Sequence, residues 1–288
     1  MSKKLIIIFI VICIISIATG VFLYFLPQER IKRHLCRGEE FIRKGNLEMA
    51  GQEAEKALEV DPKCGSAFLL LGKVYIGQKQ YGLALDKLQS ASEICPESAE
   101  IYYYMGIACK NKGDFQRALE KLEKASLLDS KTEHKNWREK ISAEKVTTHI
   151  EYGKFLQSRG LLDKARSHFL KSVDINPSNP YPHYYLALLY IKTEQLDLAL
   201  EECKNTIKLK ATLGGDAFYQ LARAYKDRAA GEKASEMYEN FSTQLSELIQ
   251  KESNIIIKKL LEEIKKFSEE ELKKMENKEE NKKNDSKK

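Results

Sequence analysis

The sequence predicts an all-α chain: six helix pairs stacked as a solenoid, a helix capping the carboxy-terminal end, and one apolar helix in front. Three observations carry this. Gly38, Gly72 and Gly106 lie 34 residues apart, and Ala50, Ala84 and Ala118, then Ala57, Ala91 and Ala125, keep the same interval. Pro62 and Pro96 close successive intervals. Small side chains fixed at a long period are what paired helices need where their backbones approach closely. A repeat array grows by stacking, so the 288 residues do not have to be divided into ordinary globular domains.

Residues 1–4 form a short tail that ends in Lys3 and Lys4, and residues 5–26 follow without a charge until Pro27. At about 1.5 Å per residue this run reaches about 33 Å, against about 30 Å of bilayer hydrocarbon. A transmembrane signal-anchor is expected, placing the chain as a single-pass protein of the cell (inner) membrane with lipid contact through 5–26. Cleavage is the competing reading, since Ala18-Thr19-Gly20 offers small residues. Against it, the run continues as Val21-Phe22-Leu23-Tyr24-Phe25-Leu26, whereas a processed product normally begins polar. The charges do not settle the side: Arg30, Lys32, Arg33 and Arg37 favour a cytoplasmic body, while the short basic head has the form of an export signal. The expectation adopted is an extracytoplasmic body.

Repeat pairs one to three cover 31–132, with the second running 65–98 and the third 99–132. The phase then slips by a segment, 133–145, that contains no Gly or Pro; Trp137 and Ile141 show helical spacing toward Ile150, so an extended helix is expected here, with Trp137 as packing. Pairs four to six cover 146–248, in register through Gly153, Ala165, Phe169, Pro177, Ala187, Ala199, Cys203, Ala222, Ala234 and Tyr238. Gly214-Gly215 is read as a loop between pairs five and six. The fourth position of each pair reads His34, Phe68, Tyr102, His149, His183 and Phe218, which assigns three histidines to packing. Ile256, Leu260, Ile264, Phe267 and Leu272 continue an apolar stripe through a capping helix at 249–275, which would cover the last pair's apolar face. In 276–288 acidic and basic residues interleave, the composition of a disordered tail.

The second pair carries Ala67, Phe68, Leu71, Gly72, Tyr75, Tyr81, Ala84, Ala91 and Pro96, and on these residues the body resembles tetratricopeptide repeat (TPR) proteins over about 31–248. An anchor followed by such repeats looks like bacterial membrane-anchored TPR proteins that support envelope biogenesis. The resemblance implies a right-handed superhelical solenoid of six TPR pairs whose first helices line a concave groove. It places Leu69, Lys73, Tyr103, Ile107, Lys110, Ile150, Lys154, Tyr184, Leu188, Lys192, Tyr219, Arg223 and Lys226 in that groove, a basic floor with apolar steps. Its ligand would be a segment with carboxylates between hydrophobic anchors. The implied function is a membrane-tethered scaffold recruiting a peptide or partner protein for assembly of a membrane or envelope complex. The alternative is a self-associating structural protein forming a homo-oligomeric lattice. The family's Lys–Asn clamp for carboxylate tails is missing, because its leading positions read Leu69 and Lys73, or Tyr103 and Ile107.

No catalytic residue, cofactor site or metal site is expected. The chain has no phosphate-binding lysine loop, HExxH, GxSxG or CxxC. Cys13, Cys36, Cys64, Cys95, Cys109 and Cys203 show no pairwise spacing. With a net charge of +6 and Lys and Glu interleaved, the chain lacks the basic stripe of a nucleic-acid binder.

Overall fold

The computed structural model of the chain describes residues 27–130 and 135–228, together with scattered positions from 243 to 274 that include 261–266. The apolar run 5–26, the tail 276–288, Ala234 and Tyr238 of the sixth pair, and Ile256, Leu260, Phe267 and Leu272 of the capping stripe lie outside the described residues. No helix among the described residues is long and apolar enough to cross a membrane.

Every regular element among the described residues is an α-helix. The order is α1 (27–43), α2 (Leu47–Val60), α3 (Gly65–Gly77), α4 (Tyr81–Ile94), α5 (Ala99–Asn111), α6 (Phe115–Asp129), α7 (Lys135–Ser158), α8 (Leu162–Ile175), α9 (Pro180–Lys192), α10 (Leu196–Leu209) and α11 (Ala211–Arg228). The chain divides into two bodies between Glu144 and Lys145, within the continuous helix α7.

Local chemistry sets the helix boundaries. Asn46 and Asp114 cap α2 and α6 by accepting from the backbone N–H of Met49 and Arg117, and Asn179 caps α9 by accepting from Tyr181. Between the helices of a pair the chain turns through a left-handed residue, with φ of +76° at Gly45, +88° at Gly113 and +75° at Gly160. The same turn in the second and fifth pairs is made by Lys79 and Glu194, both at φ +60°. Glycine adopts this region without steric cost, whereas a Cβ at these two places is strained.

In the amino-terminal body the helices meet over alanines with no exposed surface: Ala50, Ala57, Ala84, Ala91, Ala118 and Ala125. The repeating glycine opposes a large side chain of the following helix. A Cβ on Gly72 would stand 2.6 Å from Leu88, and one on Gly106 would stand 2.7 Å from Leu122. The first pair differs: its counterpart of Leu88 is Ala54, and Leu70 from the next pair fills the space over Gly38.

The carboxy-terminal body packs around Phe169, Leu186, Leu189, Ile207, Phe218 and Leu221, and Gly153 lies under Phe169. Leu261, fully buried, and Ile264, partly buried, join this core. Gly214-Gly215 is not a loop, correcting the sequence reading. Both glycines lie inside α11, and a Cβ on Gly214 would collide with the backbone of Ile207 on α10. Gly214 therefore marks a close approach of α11 to α10.

Candidate partner-binding face

In the amino-terminal body the expected groove residues come together on α3 and α5, but their charge is already answered. Lys73 on α3, its side chain 11% exposed, reaches Glu39 on α1 at 2.7 Å and Glu100 on α5 at 2.6 Å, and lies 4.9 Å over the Tyr104 ring. Burial alone would lower the Lys73 pKa, but the hydrogen bonds to Glu100 and Glu39 outweigh it and hold the ammonium above its ordinary range. Lys110 on α5 pairs with Glu144 on α7 at 2.7 Å, with both side chains largely covered. Leu69 and Ile107 are half-buried. Tyr103 meets Tyr104 and Trp137 edge-on, each at 5.2 Å between ring centres. Burial, reinforced by Glu144, pushes the Tyr103 hydroxyl up to about 12.

In this body the cations of the expected basic floor are therefore neutralised by carboxylates of the same body. Lys73 and Lys110 tie neighbouring first helices to one another instead of standing ready for a ligand. Of their carboxylate partners, Glu39 occupies the same repeat position as Lys73, one repeat upstream, whereas Glu100 and Glu144 carry no repeat signal that singles them out.

The carboxy-terminal body presents the opposite arrangement. Lys154 on α7, Lys192 on α9 and Arg223 on α11 are exposed, and no carboxylate pairs with any of them among the described residues. Lys154 lies 5.2 Å over the Tyr185 ring. Tyr219 on α11 is 51% exposed, while Ile150 and Leu188 are half-buried. Tyr184 on α9 donates its hydroxyl to Asp216 of α11 at 2.6 Å and packs edge-on against Tyr185. Burial and that hydrogen bond both raise its pKa, so Tyr184 remains a neutral phenol. The helix backbone at Lys226 continues α11, but its side chain is outside the described residues. Aromatic surface and uncompensated cations therefore coexist on α7, α9 and α11, an arrangement able to bury apolar groups while attracting anions.

The histidines assigned to packing do pack, but through polar contacts. His34 Nδ1 lies 2.8 Å from Glu53 Oε2, and His183 Nδ1 lies 2.6 Å from Glu202 Oε2 with its Nε2 3.2 Å from the Pro177 carbonyl. His149 Nδ1 lies 2.9 Å from His168 Nδ1. All three spacings are 19 residues, a signal present in the sequence and overlooked there. The thiols of Cys109 and Cys203 are buried, and burial raises both pKa values, as expected of apolar filler.

Four tetratricopeptide-repeat family profiles match the chain, over residues 37–64, 72–113, 99–131 and 168–201. The chain thus carries tetratricopeptide repeats in both bodies. No curated protein matches it. Among solved structures, Pseudomonas aeruginosa pilF is similar in fold, with a TM-score of 0.50 and 19% identity over 75% of this chain and 93% of that one. The protein MamA gives a TM-score of 0.49 at 23% identity, covering 64% of this chain and 93% of its own. YrrB, described as a TPR protein with an unusual peptide-binding site, gives 0.46 at 22% identity, covering 64% and 89%.

Proposed function

We propose that this chain of tetratricopeptide repeats is a membrane-tethered interaction scaffold, and that its carboxy-terminal body recruits an acidic segment of a partner protein into a membrane or envelope complex. The observation that carries this reading is the contrast in charge pairing. Lys73 and Lys110 are each neutralised by carboxylates of their own body, while Lys154, Lys192 and Arg223 stand exposed without one, Lys154 over the Tyr185 ring and Arg223 on the helix that exposes Tyr219. Uncompensated cations next to exposed aromatic area favour a ligand that brings carboxylates and apolar groups together.

Tethering rests on the uncharged run 5–26, which is long enough to cross a bilayer. Only Pro27 to Arg30 separate that run from the first repeat, so the repeats stay beside the membrane and their partner is a membrane or envelope protein. The basic head and the tolerance of long domains for translocation support an extracytoplasmic position for the body.

The test is capture of membrane proteins by the full-length chain in detergent micelles, compared with the triple variant Lys154→Glu, Lys192→Glu and Arg223→Glu. Loss of one partner on charge reversal, with helicity retained, supports the reading. Equal capture by both chains removes it. Sedimentation of the same preparation tests self-association, the alternative use of this surface.

A further inference from the structure

The same two positions of a repeat are filled by His34 and Glu53 in the first pair, His149 and His168 in the fourth, and His183 and Glu202 in the fifth. Each contact joins the first helix of a pair to the second. Their chemistry under acid is opposite. A carboxylate facing an imidazole holds it more firmly once the ring is protonated. Two imidazoles facing each other need one bare nitrogen, because an N–H must have an acceptor.

The geometry of the fourth pair is that of such a one-proton contact. The Nδ1 atoms are 2.9 Å apart and the ring centres 5.2 Å apart, the separation of two rings meeting end on, nitrogen to nitrogen. A second proton on this axis puts two N–H groups head to head and two positive charges side by side. We propose that the fourth helix pair is an acid-opened joint, in which His149 and His168 hold α7 to α8 through a single shared proton and release each other when both rings are charged, while the His183–Glu202 contact of the fifth pair remains closed.

The surroundings agree. His168 is covered by the Tyr152 ring of α7 at 4.3 Å, and burial followed by the charge of Lys171 on α8 holds its pKa below the ordinary histidine value. On α9, Tyr185 stacks on Phe169 and receives the Lys154 ammonium over its ring, and His183 is engaged with Glu202. His149 also engages groups other than His168, and the proton limit of the contact is the same whatever those are. The sign follows directly: a histidine whose folded pKa is depressed binds fewer protons than in the unfolded chain, so its contribution falls as pH drops below about 6.5. For His183 the Glu202 hydrogen bond outweighs burial and raises the pKa, so acid preserves that contact.

Opening has a functional consequence that rests on the proposed partner face. Ile150 follows His149 on α7 and Lys154 lies about one turn beyond, so part of that face moves with the joint. The joint itself is tested without any partner. Amide hydrogen exchange of the full-length chain is measured at about pH 7.5 and about pH 5.5 and expressed as protection factors, which remove the intrinsic pH effect. Protection across α7 and α8 is expected to fall about tenfold at the lower pH while α9 and α10 keep theirs. His168→Glu, which gives the fourth pair the His–Glu chemistry of its neighbours, is expected to reverse the trend. Unchanged protection in the natural chain, or the same acid loss in a folded His168→Glu chain, overturns the proposal. Should that variant not fold, nitrogen NMR of the natural rings decides: one bare and one protonated Nδ1 at neutral pH supports the shared proton, and two rings titrating independently at ordinary values refutes it.

Discussion

Lys73 Nζ sits 2.7 Å from Glu39 Oε1, one full repeat upstream, and turns the same ammonium 2.6 Å to Glu100 in the next pair. One cation thus joins the first helices of three consecutive pairs. Lys73→Met keeps most of the apolar stem and removes the charge, leaving two carboxylates that still reach water. Because Glu39 is 46% exposed and Glu100 30%, the expected loss is about 1–2 kcal/mol and not the larger penalty of a sealed ion pair. Chemical denaturation of the two chains measures it. A gain in stability would mean that desolvation of Lys73 dominates, and partner capture is expected to be unaffected.

What the sequence left hidden follows from this geometry. Periodicity exposes residues that must be small or apolar, so Gly72, Ala84, Ala91 and Phe169 could be read as packing directly. Charge pairing is a property of two helices at once. In one dimension Lys73 and Lys154 look alike, and only packing shows that one meets Glu39 and Glu100 while the other meets solvent and an aromatic ring. Gly214-Gly215 misled for a related reason: a glycine needed for close approach is indistinguishable, in sequence, from one needed for a turn.

His183 makes stability depend on pH in a direction opposite to acid denaturation. Its pKa is raised by Glu202, against burial, with help from the Pro177 carbonyl. The contribution is present in full below about 6.5 and is lost as pH rises through the raised value. Between about pH 6 and pH 9 the natural chain is expected to lose roughly 1 kcal/mol more than Glu202→Gln, in which the carboxylate no longer favours the charged ring. Denaturation midpoints across that range, read on the carboxy-terminal body, provide the check.

The turns at Lys79 and Glu194 carry strain that three equivalent turns avoid with Gly45, Gly113 and Gly160. Lys79→Gly and Glu194→Gly are each expected to stabilise by about 0.5–1 kcal/mol, since a left-handed residue with a Cβ costs roughly 1–2 kcal/mol and glycine returns part of this as unfolded-state entropy. Gly113→Ala is expected to destabilise by a similar amount. Thermal unfolding of the three variants measures both signs, and no gain at either Lys79 or Glu194 would show that neighbouring contacts already relieve the turn.

Two glycines in adjacent helices separate space from flexibility. At Gly106 a Cβ would stand 2.7 Å from Leu122 and 3.3 Å from the Ala118 carbonyl oxygen, so a larger side chain has to push α5 away from α6. At Gly82, inside α4, nothing lies within 4 Å of the same added atom. Gly106→Leu is therefore expected to cost about 3 kcal/mol through overpacking, while Gly82→Ala gains a few tenths to about 1 kcal/mol from helix propensity. Because each repeat is held chiefly by its neighbours, hydrogen exchange should locate the Gly106→Leu loss in α5, α6 and the helices beside them. If leucine at 106 is accepted without loss, helix approach at the repeating glycine is not what enforces the 34-residue period.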